Sequence, residues 1–209
     1  MAKNLLNEHQ LRNLANVIVE VERSTSGELR LMLVKQSART EHVFPLLGFM
    51  FATAGLLGLW YFRFHFVFEF EAWRSIAIVL ASSLALAFLL SRLLFVRRLF
   101  TPGLHEQVLA RAEVEFHREG LGNTAGRTGI LIFLSLMEHQ AVVLADRTIS
   151  AKLPAATWTE VIAKVLDRAK RWEVRIEEAI RMCGGLLALH FPRGADDRDE
   201  LPNHVIVKD

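Results

Sequence analysis

Four side chains from separate parts of the chain are candidates for binding an ion or a small ligand: Glu28, Thr124, Arg127 and Asp146. Glu28 begins one predicted strand, Arg127 lies just before a second, and Asp146 ends a third. If the first two strands are parallel and the third antiparallel, all four residues share one sheet edge. Arginine and hydroxyl groups can hold phosphate, whereas the carboxylates of Glu28 and Asp146 suit calcium or another divalent cation. A structural ion pair at a hydrogen-bonded turn is the alternative.

Other residues that could do chemistry lack the surroundings that the chemistry needs. Ser135 and His139 lie at the opposite sheet end, but Ser135 is inside a strand with no oxyanion loop. Cys183 lacks the arginine of a phosphate-cradling cysteine loop and is predicted to pack within a helix. The acidic stretch 196–199 is predicted to be a solvated turn. The glycine-rich stretch 120–129 precedes a strand, whereas nucleotide-binding loops follow one. The sequence therefore leaves open whether the protein is an enzyme.

Hydrophobic periodicity predicts the elements that position these residues. The first two strands are joined through a helix and should be parallel, and the tight turn at Glu138-His139 makes the third strand antiparallel. The result is an α/β fold with a small mixed sheet and helices packed on it. The predicted elements are a helix begun by a capping box of Asn7 and Gln10, a strand over Glu28 to Gln36, a helix from Pro102 to about Glu119, strands over Ile130 to Leu136 and Ala141 to Ala145, a helix begun by a capping box of Thr157 and Glu160 with an apolar stripe reaching Trp172, and a last helix containing Cys183.

Two uncharged apolar runs in the middle of the chain predict a transmembrane helical hairpin. The first is Val43 to Phe62 and the second is Ser75 to Ser91. A helix of twenty residues is about 30 Å long, which matches the hydrocarbon thickness of a bilayer. The predicted divisions are a first part of the α/β domain at 1–40, the hairpin at 41–100, a second part of the domain at 101–192 and a polar C-terminal tail at 193–209.

The flanks of the hairpin predict its orientation. Phenylalanine alternates with other residues through 62–70, in the link between the two runs that ends at Arg74, which predicts a short extended hairpin lying in the membrane interface. Trp60, Tyr61 and Trp73 match an aromatic belt. Because basic residues are more frequent at the outer ends than in the link, both termini and the soluble domain are predicted to be cytoplasmic. The basic residues are Arg30, Lys35, Arg39, Arg92, Arg97 and Arg98 at the outer ends, and Arg63 and Arg74 in the link.

Composition agrees with a membrane-anchored protein. Apolar residues make up 52% of the 209 residues, and the net charge of +2 argues against a nucleic-acid partner. The single cysteine excludes an internal disulfide and a cysteine-based zinc site. No apolar stretch follows Lys3, so a cleavable signal peptide is not predicted. The expected partners are the lipid bilayer and another membrane protein or complex.

Several segments occur in an order that resembles a known family. They are Glu22 to Arg30, Thr124 to Ile132, Val142 to Asp146, Trp158, Gly184-Gly185, Phe191-Pro192 and Asp199 to Pro202. The family is the TPM-domain family, named for a thylakoid lumen protein, a photosystem II accessory protein and an acetylcholine-receptor modulator. The resemblance extends over nearly everything outside the hairpin and implies an αβα sandwich. The chain departs from the family pattern in the inserted hairpin and at Arg147, where a small turn residue is expected.

The resemblance gives two hypotheses for function. Family members have been linked to the assembly or modulation of membrane complexes, to calcium binding and to phosphatase-like activity. The first hypothesis is therefore a membrane-anchored interaction, assembly or modulatory factor for a membrane complex. The alternative is a divalent-ion-dependent, phosphatase-like hydrolase, which would need a nucleophile or a metal-activated water.

Overall fold

The computed structural model describes residues 6–65, 72–93, 96, 99–124, 126–167, 169–194, 200 and 205–208. The chain divides into two compact units. The sheet unit consists of Met1–Ser37 and His105–Asp209, and the hairpin unit consists of Ala38–Leu104. One boundary follows the first strand, and the other lies at the start of the helix that follows the apolar segment.

The described residues form helices and strands in the sheet unit and helices in the hairpin unit. In chain order they are α1 (Glu8–Glu22), β1 (Glu28–Val34), α2 (Val43–His65), α3 (Ala72–Ser91), α4 (Leu104–Arg118), β2 (Gly129–Ser135), β3 (Gln140–Ala145), α5 (Arg147–Lys152), α6 (Thr159–Leu166), α7 (Trp172–His190) and β4 (Ile206–Lys208). Short 3-10 turns occupy Leu121–Asn123 and Ala155–Trp158.

The four strands form one mixed sheet in the order β3-β2-β1-β4. β1 and β2 are parallel, with Glu28 opposite Gly129 and Val34 opposite Ser135. β3 is antiparallel to β2, and β4 is parallel to the end of β1. The predicted parallel pairing of the first two strands and the antiparallel third strand are therefore confirmed.

The side chains of β1 point alternately to the two faces of the sheet, and helices pack on both faces, so the sheet unit has three layers. Leu29, Leu31 and Leu33 face one side, where they pack with α1, α6 and α7. Met32 and Val34 face the other side, where they pack with α4. Because successive strand residues point to opposite faces, β1 is buried on both sides. The predicted α/β class, with a small mixed sheet between helical layers, is confirmed.

The helices of the sheet unit begin and pack as their local sequence requires. Asn7 and Gln10 form the predicted capping box, in which each side chain accepts the other's backbone N–H at 2.8 Å. Further along, α1 packs closely on α7. A Cβ atom on Gly184 would lie 2.0 Å from Cγ1 of Val21, so only glycine fits there. Cys183, next to it, is buried as predicted.

The hairpin unit is built from two antiparallel helices that pack on each other. Gly48 faces Leu84 and Ala87, whereas Gly55, seven residues later, faces Val79 earlier in α3. Both helices are long and apolar enough to cross a membrane, and only 17% of each candidate span is buried. Among the described residues, their large apolar side chains are mostly exposed, unlike those of a core helix.

Three sequence predictions about the helices and the link were wrong. The stretch from Phe62 to His65 belongs to α2 and is not extended, while 66–70 lie outside the described residues. Thr157 does not cap a helix, because the cap residue of α6 is Trp158, which makes no side-chain capping bond. The predicted stripe to Trp172 is also interrupted, because α6 ends at Leu166 and α7 begins at Trp172.

Two elements of the sheet unit were not predicted. The helix α5 follows Asp146 directly, where the sequence had been interpreted as a turn. The C-terminal residues 206–208, placed in a polar tail, form β4 and bury Ile206 against the α4 side of the sheet. Lys208 then donates hydrogen bonds to Glu115 of α4 and to Glu119, just after that helix, at 2.6 and 3.1 Å. Residues 206–208 are therefore an edge strand of the sheet.

Candidate functional site

The candidate residues Glu28 and Asp146 flank Gly129 at the edge where β1 and β2 begin. The Cα of Glu28 is the register partner of Gly129, and the backbone N of Asp146 donates to the Gly129 carbonyl at 2.8 Å. Neighbouring strands are about 4.8 Å apart, so the two acidic residues are about 10 Å apart along the edge. The fold thus places both predicted cation ligands at the same edge. Binding of a cation there stays a prediction.

The loop that leads to this edge is held by its own hydrogen bonds. The Thr124 hydroxyl accepts the backbone N–H of Thr128 at 3.0 Å, and its carbonyl accepts that of Arg127 at 3.0 Å. Gly129 fits because a Cβ there would lie 2.1 Å from the Leu121 carbonyl oxygen. Thr124 therefore closes a turn over the start of β2, and the two amides it holds already have acceptors within that turn.

Arg127 is exposed and does not pair with Asp146. Its φ of 49° is in the left-handed region, which a non-glycine residue adopts only at some cost. Within the described part of the chain, no carboxylate lies at ion-pair distance from its guanidinium. The structure brings its backbone to the predicted edge but leaves its side chain in solvent.

Asp146 has one structural role and one unused oxygen. Its Oδ1 accepts the backbone N–H of Arg147 at 2.6 Å, so it caps the N-terminus of α5. Capping is a sufficient reason for an aspartate here. Its Oδ2 is buried and has no hydrogen-bond partner among the described residues. Arg147, at the position where a small turn residue was expected, is the first residue of the helix.

Arg30 is the residue that sequence reasoning misplaced. It was counted among the basic flanks of the hairpin, but it lies inside β1 and is only 3% exposed. Burial lowers the pKa of Arg30, and the charges of Glu119, Glu22 and Glu28 partly offset this. Arg30 lies between Leu29 and Leu31 in a predicted strand, and this could have indicated its burial, because a strand covered on both faces has no side chain in solvent.

The carboxylates around Arg30 also bond to the backbone. Oε1 of Glu22 accepts the N–H of Leu29 at 2.7 Å, and Oε1 of Glu28 accepts that of Glu200 at 3.0 Å. Both glutamates are buried. Hydrogen bonds from backbone N–H groups to an ionised carboxylate are stronger than those between neutral groups. The cluster therefore fixes the end of α1, the start of β1 and the chain at Glu200.

The metal-binding potential of the described residues is limited. Among them, no group of three or more His, Cys, Asp or Glu side chains is arranged to hold a metal ion. Calcium takes six to eight oxygen ligands, so Glu28 and Asp146 would need further oxygen donors. The acidic stretch 196–199 lies outside the described residues. The described geometry supplies a structural cluster around Arg30 and, at Asp146, a buried carboxylate oxygen without a hydrogen-bond partner among the described residues.

The Ser–His pair considered at the other sheet end is not formed. The Ser135 hydroxyl donates to Oε2 of Glu138 and lies 2.6 Å from the hydroxyl of Ser37. His139 is exposed in the tight turn, with a φ of 50°. Ser135 and Glu138 are buried. Cys183 is not a nucleophile either, because burial raises the pKa of its thiol far above the ordinary value.

Comparisons with known proteins give a fold neighbour but no family. No protein-family model matches the chain, and no curated protein matches it significantly. A similar solved structure is the NMR structure of BA42 protein from the psychrophilic bacterium Bizionia argentinensis sp. nov.. It is 20% identical, with a TM-score of 0.58, and the match covers 97% of this chain and 94% of that one. At this identity the likeness shows the fold alone.

Proposed function

We propose that this chain is a membrane-anchored, TPM-type interaction or assembly factor that modulates a membrane complex. The observation that supports this most is the exposure of large apolar side chains on both helices of the hairpin unit. Phe49 is 72% exposed and Trp60 65% on α2, and Leu89 is 65% exposed on α3. Such surfaces are unfavourable in water and favourable in a bilayer.

The sheet unit supports an interaction role more than a catalytic one. Buried polar groups at each sheet end, Glu22 at one and Ser135 at the other, bond to the backbone or to another side chain. An interaction factor needs only a folded surface and an anchor. The ordered segments that resemble the TPM family, from Glu22 to Pro202, support the same proposal.

The partner can be sought without knowing its identity. The full chain, carrying an affinity tag, would be extracted from its native membrane in a mild detergent and purified together with its neighbours. The expected result is a defined membrane complex that is absent when the hairpin is replaced by an unrelated two-helix anchor. Recovery of the chain alone under several mild detergents would contradict the proposal.

We propose that both termini and the sheet unit are cytoplasmic. Arg30 is buried in β1 and no longer counts as a flanking residue. The basic residues that remain at the outer ends of the hairpin, Lys35 and Arg39 before it and three arginines after α3, still outnumber the two arginines of the link. Protease added to intact cells should spare a tag at either terminus and cut a tag inserted between His65 and Glu69. Cleavage of the terminal tags with sparing of the inserted tag would show the reverse orientation.

A divalent-ion-dependent phosphatase is the second proposal, and one observation favours it. Oδ2 of Asp146 is buried and unused next to the edge where β1 and β2 begin. Purified protein should then hydrolyse a generic phosphomonoester only with calcium or magnesium, and Asp146→Asn should abolish the activity. Arg147→Ala, which retains the Asp146 carboxylate, is the matched control. Absence of metal-dependent hydrolysis in the unmodified protein would eliminate this proposal and leave the first unaffected.

A further inference from the structure

The turn between β2 and β3, with the strand residues on either side of it, is hydrogen bonded to both segments that join the sheet unit to the hairpin unit. Ser37 is the last residue of the sheet unit before the hairpin unit, and His105 is the first after it. The N–H of Ser37 donates to Oε2 of Glu138 at 3.3 Å, and its hydroxyl lies 2.6 Å from that of Ser135. Nδ1 of His105 lies 3.2 Å from Oε1 of Gln140. One turn therefore holds both connections.

The outgoing connection is held by a buried network. The hydroxyl of Ser135 donates to the same Glu138 carboxylate that accepts the N–H of Ser37. The turn also binds the outgoing backbone, because the N–H of Met137 donates to the Lys35 carbonyl at 3.0 Å. A buried carboxylate makes strong hydrogen bonds, and its removal would leave these donors without an acceptor. Glu138 is the centre of this network.

The returning connection is held at the surface. His105 is exposed and lies in the first turn of α4, where backbone N–H groups have no partner within the helix. Its contact with Gln140 ties that turn to the first residue of β3. The two attachments differ in burial, so a change in the turn should affect the outgoing segment more than the returning one.

We propose that the β2–β3 turn is a clamp that fixes where the chain leaves and re-enters the sheet unit. Because Glu138 lies in the short turn that joins Ser135, the last residue of β2, to Gln140, the first residue of β3, loosening the turn loosens both connections together. Motion imposed on one connection is then transmitted to the other and to the sheet. The clamp does not depend on whether the hairpin spans a bilayer, so it goes beyond the function proposed above.

Hydrogen–deuterium exchange on the full chain in detergent micelles tests the clamp. Glu138→Ala removes the central acceptor, and Glu160→Ala, at an exposed position of α6, is the matched control. The expected result for Glu138→Ala is amide exchange about tenfold faster at 35–37, a smaller increase in the first two turns of α4, and unchanged exchange in α1 and α7. The control should change none of these segments.

Two variants that each remove a single attachment, and a more conservative substitution of Glu138, complete the test. Ser37→Ala should speed exchange at 35–37 alone, and Gln140→Leu should speed it at the start of α4 alone. Glu138→Gln retains one acceptor, so it should reproduce the pattern of Glu138→Ala more weakly even if the alanine variant does not fold. The clamp is overturned if both Glu138 variants leave α4 unchanged, or if exchange rises equally in α1 and α7.

Discussion

Two helix pairs in this protein pack by the same means but present opposite outer surfaces. In the sheet unit, Gly184 of α7 allows close contact with Val21 of α1; in the hairpin unit, Gly55 of α2 allows close contact with Val79 of α3. The outside of the first pair is charged, with Arg181 bridging Glu20 and Glu177. The outside of the second pair is apolar. Both helix pairs therefore pack closely at a glycine. They differ in the outer surface, which is charged in the first pair and apolar in the second, as expected for a pair that we propose to be exposed to lipid.

The largest effect is expected when one pair is removed. Replacement of 41–100 by a short Gly/Ser linker should convert a detergent-requiring protein into a soluble one, because the exposed apolar surface is lost. Since the sheet unit has its own two-sided core, the variant should unfold cooperatively in denaturant, followed by circular dichroism. Aggregation, or a gradual loss of signal, would show that the sheet unit needs the hairpin unit to fold.

A charge placed on each outer surface tests the proposed difference in solvent. Leu80→Arg, on the exposed face near the middle of α3, should disfavour membrane insertion by about 2.5 to 3.5 kcal/mol. Val114→Arg, on the exposed face of α4, should change the free energy of unfolding by no more than about 0.5 kcal/mol. Insertion is measured by the glycosylation of acceptor sites engineered on either side of α3. Equal tolerance of both arginines would remove the distinction between the two surfaces.

The glycine contact inside the sheet unit should give a smaller effect. Gly184→Ala forces a methyl group against Val21 and should destabilise the protein by about 1 to 3 kcal/mol. A Cβ atom on the neighbouring Gly185 would meet no heavy atom within 4 Å, so Gly185→Ala should stabilise the helix by about 1 kcal/mol. Denaturant midpoints of the two variants give the comparison. If both alanines stabilise, then α1 and α7 are not in close contact.

The smallest effect concerns the charged edge strand. Burial alone would lower the pKa of Lys208, but hydrogen bonds and charges from Glu115 and Glu119 together raise it above its ordinary value of 10.5. The ion pair therefore contributes fully below pH 10.5 and is lost as the pH rises through the raised pKa. Lys208→Met should remove that part of the alkaline destabilisation, seen in thermal melts, whereas the exposed Lys164→Met should not. Identical alkaline profiles for all three proteins would contradict the ion pair.

Sequence reasoning succeeded where local signals determined the structure. The capping box of Asn7 and Gln10 and the turn at Glu138-His139 are short-range patterns, and both were confirmed. The parallel pairing of β1 and β2 followed from the connection between them. At the candidate edge, the same topology placed Glu28 and Asp146 on either side of Gly129.

The elements that were missed depend on distant contacts. β4 has three residues and pairs with a strand some 170 positions earlier, so only the run of β-branched residues at 205–207 hinted at it. From the sequence, Arg30 is predicted to be solvent-exposed, because Glu22, Glu28 and Glu119 come close to it only in the folded protein. The six residues of α5 are too few to show helical periodicity.

The central claim, that the hairpin unit is a membrane anchor, is tested most directly by alkaline extraction of membranes that contain the full chain. Carbonate at high pH releases proteins held on the membrane surface, whereas proteins whose apolar helices lie in the hydrocarbon remain in the pellet. The full chain should stay in the membrane pellet, and the variant lacking 41–100 should appear in the supernatant. Recovery of the full, folded chain in the carbonate supernatant would show that the hairpin unit does not anchor the protein in the membrane.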